Sequence, residues 1–257
     1  MREIAHRNRS RRRISSGAGS RPAFGHAVSC SAVKPSITLA ETTTPDGSTL
    51  SLQIHDGHYH MRVAGHRLMS TTATGSEERL AELGCERLGV SGGKRVLIGG
   101  LGLGFTLRRV LELVPTDVQV QVAELVPEVV TWNREHLQSV NGGLVDDARV
   151  EILMDDVFTV LARADPGHYD AALLDVDNGP TALVDPGNAR LYADHGLRVL
   201  SRALRVGGRA VFWSGSPDRA FMTRLTAAGF RATAVDAKAY AKAKRCTHTL
   251  FVADWHG

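Results

Sequence analysis

The stretch VLIGGLGLGFTLRRVLELVP, residues 96–115, reads as a short apolar strand, a glycine-rich turn and a helix. Val96, Leu97 and Ile98 form a buried-strand run. Gly99, Gly100, Gly102 and Gly104 follow, and FTLRRVLELV then takes a helical period. Glycines at such a turn let a ligand approach the backbone at a helix start. The chain continues into VQVQVAEL, a second strand, which ends on Glu124. A carboxylate at that strand tip can accept hydrogen bonds from ribose hydroxyls. The spacing GLGLGF departs from the GxGxxG of dinucleotide sites, where helix amides must cradle a pyrophosphate. It favours a loop that wraps a methionine-like tail.

Outward from this core the same alternation continues. RVEILMDD is a third strand, DVFTVLARA a helix, YDAALLDV a fourth strand and RAVFWSG a fifth. ARLYADHGLRVLSRALRVGG reads as one helical stretch closed by Gly207-Gly208, and DRAFMTRLTAAGF as another helix. RATAVDAKAY and THTLFVADW read as a final antiparallel pair. The expected fold class is α/β, a Rossmann-like doubly wound mixed sheet of the class I methyltransferase type. Residues 35–70 differ, with short alternating strands broken by Asp-Gly turns. Such a small antiparallel sheet buries little by itself and should pack on the main body or another subunit. Ser76 is the expected N-cap of the helix that follows it, and Gly89 its stop. The expected division is an Arg-rich tail at 1–33, a β region at 34–75 and a donor-binding domain at 76–257.

The formal net charge is +4, but it is unevenly placed. Residues 1–21 carry seven arginines against one glutamate, a net +6, which leaves −2 on residues 22–257. A nucleic-acid function needs a basic surface on the folded part, so the charge argues against one. The tail has the composition of a disordered extension and lacks the apolar core of a signal peptide. No stretch is long and apolar enough to span a membrane. Cys30, Cys85 and Cys246 are far apart and form no CxxC pair, which reads as reduced thiols in the cytoplasm.

Candidate chemistry gathers at the strand ends. Asp156 ends the third strand, where an adenine amino group would be read; its neighbour Asp155 competes for that role or caps the next helix, and the sequence alone does not separate the two acids. Asp175 and Asp177 end the fourth, before Asn178-Gly179-Pro180 turns the chain. Two carboxylates there suit a cationic substrate or proton transfer from an amine. With Asp185 they offer a hard-cation pattern, but no suitably spaced His or Cys joins them, and no metal is expected. His55, His58, His60 and His66 read as surface or ring-packing histidines. Lys238, Lys242, Lys244 and Arg245 read as a solvated hairpin loop, and Trp132 and Trp213 as packing residues.

Taken together, GGLGLGF, VAELVPEVVTWNREHL, the Asp156 region, YDAALLDVDNGP and LYADHGLRVLSRALRVGG resemble the spermidine/spermine synthase family over roughly residues 45–255. The resemblance implies aminopropyl transfer from decarboxylated S-adenosylmethionine to an amine, in a homodimer and without a metal. It implies donor contacts from Gly99, Gly100, Gly102, Gly104, Glu124, Asp155, Asp156 and Asp175. It implies that catalysis belongs to the gate loop at Asp175, Asp177 and Asn178. Two departures stand out. The family's DxxD gate has its base at the fourth position, which here is Asn178. The family's acidic pair followed by Tyr-His is here Ser76-Glu77-Glu78-Arg79-Leu80-Ala81. The donor half of the pattern is present and the diamine half is altered. An S-adenosylmethionine-dependent methyltransferase, or a non-catalytic nucleoside-binding relative, therefore stays open beside aminopropyl transfer.

Overall fold

The computed structural model describes residues 35–89, 93–176 and 186–257. The Arg-rich tail, Cys30, Asp177, Asn178 and Asp185 lie outside the described residues.

Four strands open the described chain: β1 (Ile37–Thr43), β2 (Thr49–His55), β3 (His58–Val63) and β4 (His66–Ser70). They pair antiparallel in the order β1-β2-β3-β4. Asp56 (φ 50°) and Gly57 (φ 81°) make the two-residue turn between β2 and β3, both left-handed as that tight hairpin demands. Ala64-Gly65 makes the next one, which splits DGHYHMRVAG from the strand after it. Alternation sets the faces: Leu50, Leu52, Met61 and Val63 are buried, while Arg67 and His58 are exposed.

Helix α1 (Gly75–Cys85) follows. It starts before the expected cap: Thr74 is the N-cap residue, and Ser76 lies in the first turn. The Gly75 amide donates to the Ala239 carbonyl at 2.9 Å, so a distant loop fixes the helix start. A Cβ on Gly75 would sit 2.8 Å from the Lys238 carbonyl oxygen, which is why a glycine serves there. The helix stops at Cys85, ahead of Gly89.

The strand–helix alternation then runs β5 (Arg95–Gly99), α2 (Phe105–Leu113), β6 (Gln119–Ala123), α3 (Pro127–Glu135) and a short α4 (Gln138–Asn141). It continues with β7 (Val150–Leu153), α5 (Val157–Arg163), β8 (Tyr169–Leu174) and α6 (Asp194–Ala203). It closes with β9 (Leu204–Ser214), α7 (Arg219–Ala227), β10 (Arg231–Ala237) and β11 (His248–Asp254). The seven strands are ordered β10-β11-β9-β8-β5-β6-β7. Strands β5 to β9 run parallel, and β11 inserts antiparallel between β9 and β10. This is the mixed, doubly wound sheet expected of the class I methyltransferase type. Strand β8 is buried at all six positions, as a central parallel strand covered on both faces must be.

One expected helix divides. Pro186–Tyr192 is a 3-10 segment, α6 ends at Ala203, and Leu204 already belongs to β9. The Gly207-Gly208 pair does not close a helix. Gly207 donates to the Trp255 carbonyl at 2.8 Å and Gly208 accepts from the Trp255 amide at 2.9 Å, which joins the end of the chain to the strand.

Two buried clusters cover the two sheet faces. The first joins Leu50, Leu52, Met61 and Val63 of the small sheet to Leu80, Ile98, Leu103 and Val122. The small sheet thus buries its inner face on the main body. The second is built around Tyr192, Phe212, Phe221 and Phe251, with edge-on ring contacts of 5.0–5.3 Å about Phe221. Among the described residues no helix is long and apolar enough to cross a membrane.

Candidate functional site

The strand order reverses between β5 and β8, whose carboxyl ends carry Gly99 and Asp175. In open α/β sheets that switch point is where ligands bind. A cleft of about 1050 Å³, counting solvent at its mouth, opens there. Gly100, Gly102, Glu124, Asp155, Asp156, Asp175 and Trp213 line it from the main sheet's side, and Leu50, Met61, Leu68 and Met69 from the small sheet.

The glycine turn is shaped by close approach. Gly100 has φ 88°, and a Cβ there would lie 2.5 Å from the Asp175 carbonyl oxygen. Two asparagines brace the turn from behind. Asn133 Nδ2 donates to the Gly102 carbonyl at 2.9 Å, and Asn141 Nδ2 to the Leu103 carbonyl at 3.0 Å and to Asn133 Oδ1 at 2.7 Å. Neither asparagine stood out in the sequence, because their service to the turn depends on how α3 and α4 fold back.

Glu124, one residue past β6, is buried. Its Oε2 accepts from the Leu101 amide at 2.8 Å and its Oε1 from the Val126 amide at 2.9 Å. Burial pushes its carboxyl above the usual range, against the downward pull of those amides. Each oxygen keeps further acceptor capacity.

The two acids after β7 separate by role. Asp156 is the N-cap of α5, accepting from the Thr159 amide at 2.9 Å, and it pairs with Arg190 at 2.7 Å. Asp155 accepts from the Asp156 amide at 2.8 Å and pairs with Arg163 at 2.7 Å. Both line the cleft.

Asp175 accepts from Thr106 Oγ1 at 2.9 Å, and its own amide donates to the Gly99 carbonyl at 2.9 Å. Burial raises its carboxyl above the ordinary carboxylate range. Glu77, in the first turn of α1, lines the same cleft and feels the Asp175 charge; burial first, and that charge second, raise its carboxyl too. Ser76 donates to Glu77 Oε2 at 2.5 Å. Glu77 and Trp213 line the cleft, and Thr106 holds Asp175 in it; the sequence left all three in other roles. Trp213 lines the cleft rather than serving packing alone, and its Nε1 is buried with no hydrogen-bond partner among the described residues.

The histidine-rich hairpins hold no metal constellation: among the described residues no group of three or more His, Cys, Asp or Glu could hold one. The basic loop between β10 and β11 leaves Lys238, Lys242, Lys244 and Arg245 exposed.

Residues 75–222, more than half of the chain, match the spermine/spermidine synthase domain. The chain belongs to the spermine/spermidine synthase family. A polyamine aminopropyltransferase of Mycobacterium tuberculosis H37Rv is 34% identical over 128 residues, covering 49% of this chain and 24% of that protein. Polyamine aminopropyltransferase 2 of Pseudomonas aeruginosa is 39% identical over 117 residues, covering 44% of this chain and 31% of the relative. The chain thus matches well under half the length of these relatives. Among solved structures, the spermidine synthase from Thermotoga maritima superposes with a TM-score of 0.67 at 17% identity, covering 84% of this chain and 72% of that one. A likeness at that identity shows the shared fold.

Proposed function

We propose that this protein transfers an aminopropyl group from decarboxylated S-adenosylmethionine to an amine acceptor. The observation that carries the reading is the charge of the cleft. Its described lining includes Glu77, Glu124, Asp155, Asp156 and Asp175, and no lysine, arginine or histidine. Asp155 and Asp156 are offset by Arg163 and Arg190 from outside the lining. Glu77, Glu124 and Asp175 have no ion-pair partner among the described residues. The decarboxylated donor carries a sulfonium and an ammonium, and the acceptor is another cation, so all suit this wall. Intact S-adenosylmethionine would bring a carboxylate that needs N–H donors. Three of the loop amides are engaged elsewhere: Gly100 with the Ala123 carbonyl, Leu101 with Glu124, and Gly104 with the Leu101 carbonyl. Nothing in the described lining favours methyl transfer over this reading.

In this assignment the glycine turn and Glu124 hold the nucleoside, with Asp155 and Asp156 at the adenine end. Asp175 faces the reacting groups, and Asp177 and Asn178 complete the gate. The amine nitrogen attacks the carbon next to the sulfonium in line. The C–N bond forms, the C–S bond breaks, and its electron pair stays on sulfur. Holding both reactants in one cleft removes most of the entropy cost of that encounter. The reading includes residues 34–75 as a wall of the site, residues 76–257 as the donor-binding domain, a homodimer, and a cytoplasmic location suited to the free thiols Cys85 and Cys246.

Calorimetry with the intact and decarboxylated donors, joined to chromatographic detection of methylthioadenosine over an amine panel, tests the reading. The decarboxylated donor binds at least about tenfold tighter, a difference of about 1.4 kcal/mol, and methylthioadenosine accumulates only with an amine present. Preference for the intact donor would overturn it.

A further inference from the structure

We propose that Glu77 and Asp175 work as a proton-sharing pair in which Glu77 takes the proton from the attacking amine. The inference rests on the aminopropyl transfer proposed above. Glu77 comes from the first turn of α1 and Asp175 from the residue after β8, and both line the cleft. Each interacts electrostatically with the other, and among the described residues no cation pairs with either. One hydroxyl steadies each carboxylate: Ser76 on Glu77 and Thr106 on Asp175. The buried Trp213 Nε1 lines the same cleft without a hydrogen-bond partner among the described residues, an independent sign of a ligand that supplies an acceptor.

The two acids are held differently. Asp175 is locked to the donor turn through the Gly99 carbonyl and the close approach of Gly100. It stays in place as the fixed charge beside the sulfonium. Glu77 stands on the helix that follows directly on the small sheet, whose apolar side chains form the opposite wall. It is the carboxylate available to the acceptor. A buried base whose affinity for protons is raised toward neutrality is better matched to an amine than an exposed one. The proton leaves the nitrogen for the Glu77 carboxylate as the C–N bond forms, and the C–S electron pair goes to sulfur.

Neighbouring charges are engaged with one another. Glu78 pairs with Arg108 of α2, and Glu82 with Arg109. Arg209 of β9 pairs with Asp254 of β11. His248 of β11, beside Trp213, is held below its ordinary range by burial. Beside Glu124, Asp155 and Asp156, the pair is therefore the titratable group that lines the cleft.

The test is the pH dependence of kcat and of kcat/KM for Glu77→Gln and Glu77→Asp beside the unaltered protein, with donor affinity by calorimetry. Glu77→Gln should lower kcat by about 10²–10³-fold, in the range of a lost general base, and leave the donor Kd within about threefold. It should also abolish or move the acid limb of kcat/KM. Glu77→Asp should restore part of kcat with a shifted limb. It also serves as the second variant if the glutamine form does not fold. A purely structural Glu77 would lower stability and leave the limb in place. Retained kcat and an unmoved limb in Glu77→Gln overturn the role of Glu77 while aminopropyl transfer stands. Unaltered protein that neither binds nor consumes the decarboxylated donor overturns both.

Discussion

Thr106 in the first turn of α2 donates its hydroxyl to Asp175 Oδ2 at 2.9 Å, which ties the helix behind the glycine turn to the end of β8. The bond favours the charged carboxylate and offsets part of the burial that raises it. Thr106→Val keeps the shape and removes the donor. Asp175 should then hold its proton to higher pH, and the acid limb of kcat/KM should move upward. Turnover at neutral pH should fall about tenfold, the worth of a charge-assisted hydrogen bond of about 1.5 kcal/mol. An unmoved limb would separate Asp175 from the rate.

Glu124 should govern donor affinity alone. Its two amide bonds set the carboxylate at the base of the cleft. Glu124→Gln replaces one acceptor oxygen by a donor that meets an amide head-on. Donor Kd should rise about 10–100-fold, from lost charge-assisted bonds of about 1.5–3 kcal/mol. Calorimetry reads this directly, and an affinity unchanged within twofold would remove Glu124 from the site.

The buried acids make stability fall as pH rises. Glu77 binds its proton more tightly folded than unfolded, so the folded state is favoured while that proton is present. This contribution is whole below the unfolded glutamate value of about 4.3 and is lost as pH climbs through the raised folded value. Glu77→Gln should therefore melt above the unaltered protein at pH 8, by a margin of up to about 3 kcal/mol that closes as pH falls to about 4. Thermal melts across pH check the crossing, and a margin independent of pH would show that Glu77 is not titrating.

The turn depends on its asparagines. Asn133→Ala leaves the Gly102 carbonyl and Asn141 Nδ2 each short of a partner. A loss of about 1–3 kcal/mol follows from unsatisfied buried groups. Donor binding should weaken with it, since the glycine turn loosens. Denaturant melts and calorimetry on one preparation resolve the two effects.

A buried ion pair anchors the back of α1. Arg209 donates to Asp254 Oδ1 at 2.7 Å and to the Leu83 carbonyl at 3.0 Å. Arg209→Met strands Asp254, with only Arg87 at 3.3 Å to answer it among the described residues. Breaking a buried pair on one side costs about 3–5 kcal/mol. A midpoint shift in urea measures it, and a loss under 1 kcal/mol would mean that Arg87 takes over the pairing.

The features legible in the sequence are those whose cause is local. The strand–turn–helix at 96–115 follows from a short apolar run, glycines and a helical period. Glu124 follows from its place at a strand tip. The final antiparallel pair follows from alternation about a lysine-rich loop. Features set by distant chain were not legible. Ser76 has the composition of a cap, but the Ala239 carbonyl starts the helix two residues earlier. Leu204 to Gly208 continues a helical pattern and ends in glycines, yet its pairing with Trp255 makes it strand. Glu77 stands where the family's acidic pair and Tyr-His lie, but its partnership with Asp175 comes only through the crossing of α1 with the sheet. Asp155 and Asp156 became distinguishable only once Asp156 was seen to cap α5.

The cleft draws its lining from Thr44, between β1 and β2, to Trp213 in β9, with both sheets contributing. A molecule seated there would hold segments that must come together for folding to finish. Binding would be felt as resistance of the whole body to heat: at one hundred times Kd, a ligand for the folded state adds about 2.7 kcal/mol. Melting temperature thus becomes a search tool. A library of nucleosides and amines, screened by thermal shift, would rank candidate substrates before any product is known.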